Sequence, residues 1–147
     1  DSFEGLPEIT EIDQQDIWSK GKLAFAEEKF IRRVVSHGVP ADKLKTVVGF
    51  YETSLTKALA QKLLPKKAAV IYIDCDLYDS TKTAIFGIES ILQEGTVLLF
   101  DDWFNFKGNK NKGEQKAFYE FFESQNKWSY IEYKTYATFG KSFIISV

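Results

Sequence analysis

At 147 residues, 44% hydrophobic and 27% charged, the chain has the composition of one globular domain with a sizeable core. A net charge of −2 provides no basic field for nucleic acid or anionic lipid, and no apolar run approaches the roughly 20 residues of a membrane helix. The single cysteine, Cys75, excludes an internal disulfide and suits a reducing, cytoplasmic setting.

Asp1 to Pro7 (DSFEGLP) reads as a loop punctuated by Gly5 and Pro7. From Lys22 to His37 the period turns helical, pairing Phe30 with Val34 and Ile31 with Val35, and Gly38 and Pro40 supply the stop. Leu44 to Phe50 (LKTVVGF) has strand length and β-branched content. Ser54 is placed to cap a helix to Leu64, which Pro65 ends. Ala68 to Ile73 (AAVIYI) is an apolar run that stops at Asp74 and Asp76. A helix capped by Asp79 or Ser80 follows, with Ala84, Ile85, Ile88, Ile91 and Leu92 at helical spacing and Gly95 as its stop. A second apolar run, Thr96 to Phe100, stops at Asp101 and Asp102. Together these read as strand, crossover helix and parallel strand. Phe104 to Lys112 is a basic, glycine-containing loop. Gly113 or Glu114 then opens a helix carrying Phe118, Phe121 and Phe122. Tyr130 to Tyr136 and Ser142 to Val147, joined by a turn at Gly140 and Lys141, are close enough to pair antiparallel. The expected class is α/β, with a mostly parallel sheet closing in an antiparallel hairpin.

In open parallel sheets, ligands bind beyond the carboxyl ends of the strands. Asp74, Asp76, Asp101 and Asp102 all fall on that edge. Acids at strand ends also serve as helix caps in solvent. Four together repel one another unless something offsets the charge. Asp74, Asp101 and Asp102 form a hard oxygen set suited to magnesium, or to calcium. A bound divalent cation lowers the pKa of a coordinated hydroxyl, and Asp76 is placed to take its proton. His37 stands at a helix end, where the dipole favours a cation. Cys75 alternates with its aspartate neighbours and reads as a small buried thiol. Lys107, Lys110 and Lys112 form either a solvated loop or contacts to an anionic substrate. Trp103, Phe104 and Phe106 are either satellite core or the wall of a substrate pocket.

DSFEGLP, GFYETSL, IDCDLYDST, LLFDDW and GEQKAFYEFF, in that order, resemble the macrocin O-methyltransferase family over the whole chain. The resemblance implies a class I, Rossmann-like methyltransferase fold, S-adenosylmethionine as methyl donor, and magnesium. It implies Asp74, Asp101 and Asp102 as metal ligands and Asp76 as general base. Asp1, with Ser2 beside it, matches the acid near the donor's ribose, and Gly49, Phe50 and Tyr51 fall near its adenine. The acceptor is expected to be a hydroxyl of a sugar or another small natural product. Cys75 departs from the small residue, often glycine, usual between the two aspartates. In such proteins the first strand and its glycine-rich turn precede the position of Asp1. The chain is therefore expected to be the C-terminal two-thirds of a single catalytic domain, inactive alone. The first two strands of the family fold lie between the third and the fourth. Without them, Leu44 to Phe50 either moves beside Ala68 to Ile73 or leaves that strand an edge open to a second copy, and self-association is expected. A non-catalytic module that self-associates is the alternative from another class. A metal-dependent hydrolase or phosphotransferase is a third reading, but the chain carries no phosphate-cradling glycine loop.

Overall fold

The computed structural model describes residues 1–56, 59, 62 and 67–147. The chain divides into two compact units, Asp1–Ser54 and Leu55–Val147.

The first unit is built on turns and one amphipathic helix. In DSFEGLP, Gly5 has φ +86, and a Cβ there would stand 2.4 Å from the carbonyl of Lys22. Only glycine lets the two segments approach this closely, and Leu6 and Lys22 close the contact (Leu6 N–H to Lys22 O, 2.8 Å). Helix α1, Glu27–Ser36, starts later than its sequence pattern suggests and ends at Gly38, whose φ is +98. Leu44 to Phe50 is not a strand. A strand needs a ladder partner, and among the described residues this segment has none: the Asp1 amine donates to the Val47 carbonyl, the Gly49 N–H donates to the Asp1 carbonyl, and the Thr46 hydroxyl donates to Glu27. Ser54 is also not an N-cap. It closes the four-residue turn α2, Tyr51–Ser54, and donates to the Gly49 carbonyl. Beyond it, the Thr56 Oγ1 accepts the Leu59 N–H at 3.2 Å. The remainder of the helix expected to reach Leu64 lies outside the described residues.

The second unit carries the sheet. Strand β1, Val70–Ile73, pairs in parallel with β2, Val97–Phe100, in the register Val70 to Val97 through Ile73 to Phe100. The crossover between them is α3, Tyr78–Gly87, continued by a 3-10 turn at Glu89–Ile91. Leu77 precedes α3 without a side-chain cap, so Asp79 and Ser80 lie inside the helix and do not cap it. Helix α4, Gly113–Glu123, leads to β3, Ser129–Tyr136, and β4, Gly140–Ser146, which pair antiparallel as expected. Strand β4 inserts beside β2, giving the order β1-β2-β4-β3.

The core lies on one face of this sheet. Leu98, Phe100, Phe143 and Ile145 are all buried there, with Ala84 and Ile85 of α3 and Phe118 and Phe121 of α4. Aromatic rings dominate: Phe118 stands 4.3 Å from Phe143, and Trp103 4.6 Å from Phe143. Phe86 meets Phe121 edge-on at 5.2 Å, tying α3 to α4. Val70, Tyr72 and Ile131, on the other face, are more than half exposed. Among the described residues no strand flanks β1 on its outer side, so the rearrangement that would place Leu44 to Phe50 there does not occur.

Candidate active site

The carboxyl ends of β1 and β2 project their acids together because the two strands are parallel and in register. The Asp101 N–H donates to the Ile73 carbonyl at 3.0 Å, continuing the ladder one step past β2. Asp74 follows β1 directly. Cys75 is buried, as a small core thiol. Asp76 has φ +57, and the Leu77 N–H closes back on the Cys75 carbonyl at 2.5 Å. That is a tight three-residue turn around a residue in the left-handed region, a strained conformation of the kind found at functional sites. The turn swings the Asp76 carboxylate back toward the strand ends. One carboxylate oxygen from each of Asp74, Asp76 and Asp102 lies within 4.8 Å of the other two.

Asp101 is positioned differently. Its carboxylate accepts a hydrogen bond from the Tyr72 hydroxyl. Asp102 is held from two sides. Asn105 donates to its Oδ1 at 2.6 Å, and its backbone N–H donates to Glu114 at 3.0 Å. None of Tyr72, Asn105 and Glu114 is singled out by sequence pattern. Glu114 reads as the start of a helix and Asn105 as a loop residue.

The electrostatics follow from burial and crowding. Burial, the negative charge of Asp102 and that of Asp74 push Asp76 up to about 7. Burial with the charges of Asp74 and Asp101 pushes Asp102 up to about 6, and the Asn105 hydrogen bond opposes this. Asp76 and Asp102 share a hydrogen bond, so they titrate as a pair. Asp74 is raised by burial and by Asp101. Burial, then Asp101, raises Tyr136 to about 12. Among the described residues no lysine or arginine forms an ion pair with any of the four aspartates. The rim is therefore short of positive charge. One oxygen from each of Asp74, Asp76 and Asp102 lies within 4.8 Å of the others, close enough for a single hard cation to meet all three. Hard anionic oxygens, with no soft ligand and no compensating cation among the described residues, make a donor set that fits magnesium.

The loop after β2 packs against this rim. Trp103 is buried among Phe118 and Phe143 and belongs to the core. Phe106, with φ +56, lays its ring where a Gly113 Cβ would be, 2.6 Å from that position. Lys112 stands 5.8 Å over the same ring. Lys110 lines a surface cleft of about 520 Å³ with Asn111, Lys116, Tyr119, Glu120 and Glu123.

The other expected residues are in the first unit. The backbones of Asp1 and Gly49 are joined there at 3.1 Å, and Asp1 Oδ1 accepts the Phe3 N–H at 2.6 Å. Ser2 is buried, its hydroxyl taking the Glu4 N–H. The Phe50 carbonyl receives the N–H groups of Thr53 and Ser54, which places Phe50 at the start of the turn holding Tyr51. A pocket of about 270 Å³ opens beside Asp1, lined by Phe3, Phe25, Phe30, Lys45, Thr46 and Val47. His37 is exposed at the end of α1, its Nδ1 2.8 Å from the Arg33 carbonyl.

The family model described as macrocin-O-methyltransferase (TylF) matches residues 1–127. The chain belongs to the macrocin O-methyltransferase family. A curated relative from Streptomyces olivaceus, 8-demethyl-8-(2,3-dimethoxy-alpha-L-rhamnosyl)-tetracenomycin-C 4'-O-methyltransferase, is 28% identical over 109 residues, covering 70% of this chain and 40% of the relative. The solved O-methyltransferase NovP superposes with a TM-score of 0.70 at 19% identity, over 98% of this chain and 57% of NovP. The calicheamicin methyltransferase CalS11 superposes at 0.71 and 18% identity, over 98% of this chain and 58% of CalS11. This member of the family therefore has the mixed α/β fold of those methyltransferases, and spans a little over half of each solved chain. No helix among the described residues is long and apolar enough to cross a membrane.

Proposed function

We propose that this protein is an S-adenosylmethionine-dependent, magnesium-assisted O-methyltransferase acting on a hydroxyl of a sugar or related natural product in the cytoplasm, and that the chain is the C-terminal part of its catalytic domain. The observation that carries the reading is the convergence of Asp74, Asp76 and Asp102, uncompensated by any cation among the described residues, in a chain of this family. Asp74 and Asp102 would hold magnesium, with Asp101 beside them. A bound magnesium supplies Lewis acidity toward the acceptor oxygen and neutralises the rim, and bound S-adenosylmethionine supplies an electrophilic methyl group. Asp76 accepts the proton of the acceptor hydroxyl through its carboxylate oxygen. An ideal general base titrates near the operating pH, and burial with the charges of Asp102 and Asp74 raises Asp76 in that direction when no metal is bound. The strained turn fixes its direction, so little reorientation is needed at the moment of transfer. Asp1 and Ser2 would face the donor's ribose, and Gly49, Phe50 and Tyr51 its adenine. Backbone contacts already hold Asp1 against Gly49.

The open outer side of β1 supports a second element of the proposal, that copies of the chain self-associate there. Exposed strand edges present unpaired N–H and C=O groups that template pairing.

The deciding experiment is a magnesium titration followed by thermal melting. A ligand of the folded state raises the melting temperature by mass action. The rise should appear in the wild type and vanish when Asp101 and Asp102 are both replaced by Asn. An unchanged rise in the double variant places the metal elsewhere.

A further inference from the structure

The first turn of α4 packs against the acidic rim and the loop after β2. A Cβ on Gly113 would come within 3.5 Å of the Asp76 carbonyl. Glu114 receives the Asp102 N–H at 3.0 Å. Gln115, also buried, donates through Nε2 to the Trp103 carbonyl at 2.6 Å. Of the three, Glu114 is the one that packing does not explain. It is 1% exposed, and although its carboxylate meets the backbone of Cys75 as well as the Asp102 N–H, among the described residues its Oε1 has no hydrogen-bond partner of ordinary geometry. Burying a carboxylate with one oxygen unsatisfied is unfavourable, and an apolar side chain of the same length usually serves stability better.

What Glu114 supplies is an acceptor at a particular backbone position. The parallel ladder ends when the Asp101 N–H reaches Ile73. The next N–H, that of Asp102, has no strand to donate to, and Glu114 receives it. Asn105 fixes the carboxylate of the same residue from the other side at 2.6 Å. The direction of the Asp102 side chain is thus set by one contact to its backbone and one to its oxygen.

We propose that Glu114 is a positioning residue for the carboxylate cluster: by receiving the N–H just beyond β2, it holds Asp102 where its oxygen meets those of Asp74 and Asp76. This rests on the metal reading above. It assigns Glu114 no direct contact with metal or substrate. Outer partners of metal ligands typically account for 10–100-fold in metal affinity.

The test separates positioning from packing. Magnesium is titrated calorimetrically into the wild type, E114Q and E114M, and each protein is melted in parallel. Glutamine keeps an acceptor oxygen for the Asp102 N–H, whereas methionine keeps length and burial without one. The expected result is a folded E114M that melts no lower than the wild type yet binds magnesium at least about tenfold more weakly, with E114Q staying close to the wild type. Equal affinity in E114M overturns the proposal and makes Glu114 a packing residue. An E114Q as weak as E114M also overturns it, because charge and not the accepted hydrogen bond would then matter. If E114M does not fold, E114D, whose carboxylate stops one methylene short, gives the same two-way reading. A wild type that binds no magnesium overturns the metal reading and this proposal together. A loss confined to the variants, or its absence, concerns Glu114 alone.

Discussion

Asp76 combines backbone strain with crowding by like charge, and both have measurable consequences. In the intact enzyme, replacing Asp76 with Asn should lower turnover by about 10²–10⁴-fold, the range for loss of a general base, with little change in acceptor KM. Near-normal turnover would make Asp76 a structural group. The same aspartates set a pH dependence of stability. Burial and neighbouring charge raise Asp76 to about 7 and Asp102 to about 6. Between the unfolded carboxylate value and these values, the folded state binds more protons than the unfolded one. Their favourable contribution is complete below the unfolded value and is lost as pH rises through the folded values. Without divalent metal, the melting temperature should therefore be higher at pH 5.5 than at pH 8. Asp76→Asn should flatten that difference, and a flat profile in the wild type would contradict the crowding. Glu120, held down to about 2 by hydrogen bonds from Lys116, Tyr78 and Lys82 against the opposing effect of burial, acts below this window.

At the scale of elements, the rim depends on how the loop after β2 meets the start of α4. Gly113 has φ +50, and a Cβ there would run into the Phe106 ring at 2.6 Å. Gly95 has φ +84 with nothing within 4 Å of a Cβ position. Gly95→Ala should cost only the backbone penalty, about 1–2 kcal/mol. Gly113→Ala should cost that plus roughly 1–3 kcal/mol of overpacking. Urea denaturation with unchanged m-values would measure the gap, and equal midpoints would show that Phe106 moves aside freely. Phe118, fully buried between α4 and the sheet, should cost about 3–5 kcal/mol on replacement by Ala.

For the whole molecule, among the described residues the sheet ends at β1, where Val70 is 62% and Tyr72 54% exposed on one face. Sedimentation equilibrium should find the chain self-associated. Val70→Lys should shift it toward monomer, because lysine on an edge strand opposes pairing. A wild type that sediments as a monomer across concentrations would remove self-association from the proposal.

The local pattern of the sequence determined much of this. The runs VIYI and VLLF, the helical spacing between them and the aromatic helix after Gly113 specify β1, α3, β2 and α4, because period and punctuation are local properties. The same runs put Asp74, Asp76, Asp101 and Asp102 at strand ends, and the motif order named the family. What lay beyond local pattern needed partners distant in the chain. Leu44 to Phe50 has the composition of a strand but, among the described residues, no ladder partner to make it one, since a ladder is a tertiary object. Likewise, only the three-dimensional arrangement decided that Asp76 turns back to join Asp74 and Asp102, while Tyr72 engages Asp101. A left-handed turn and a cross-strand hydrogen bond leave no trace in residue spacing. Glu114, read from sequence as a helix start, stands beside Asp102 only because α4 packs against the end of β2.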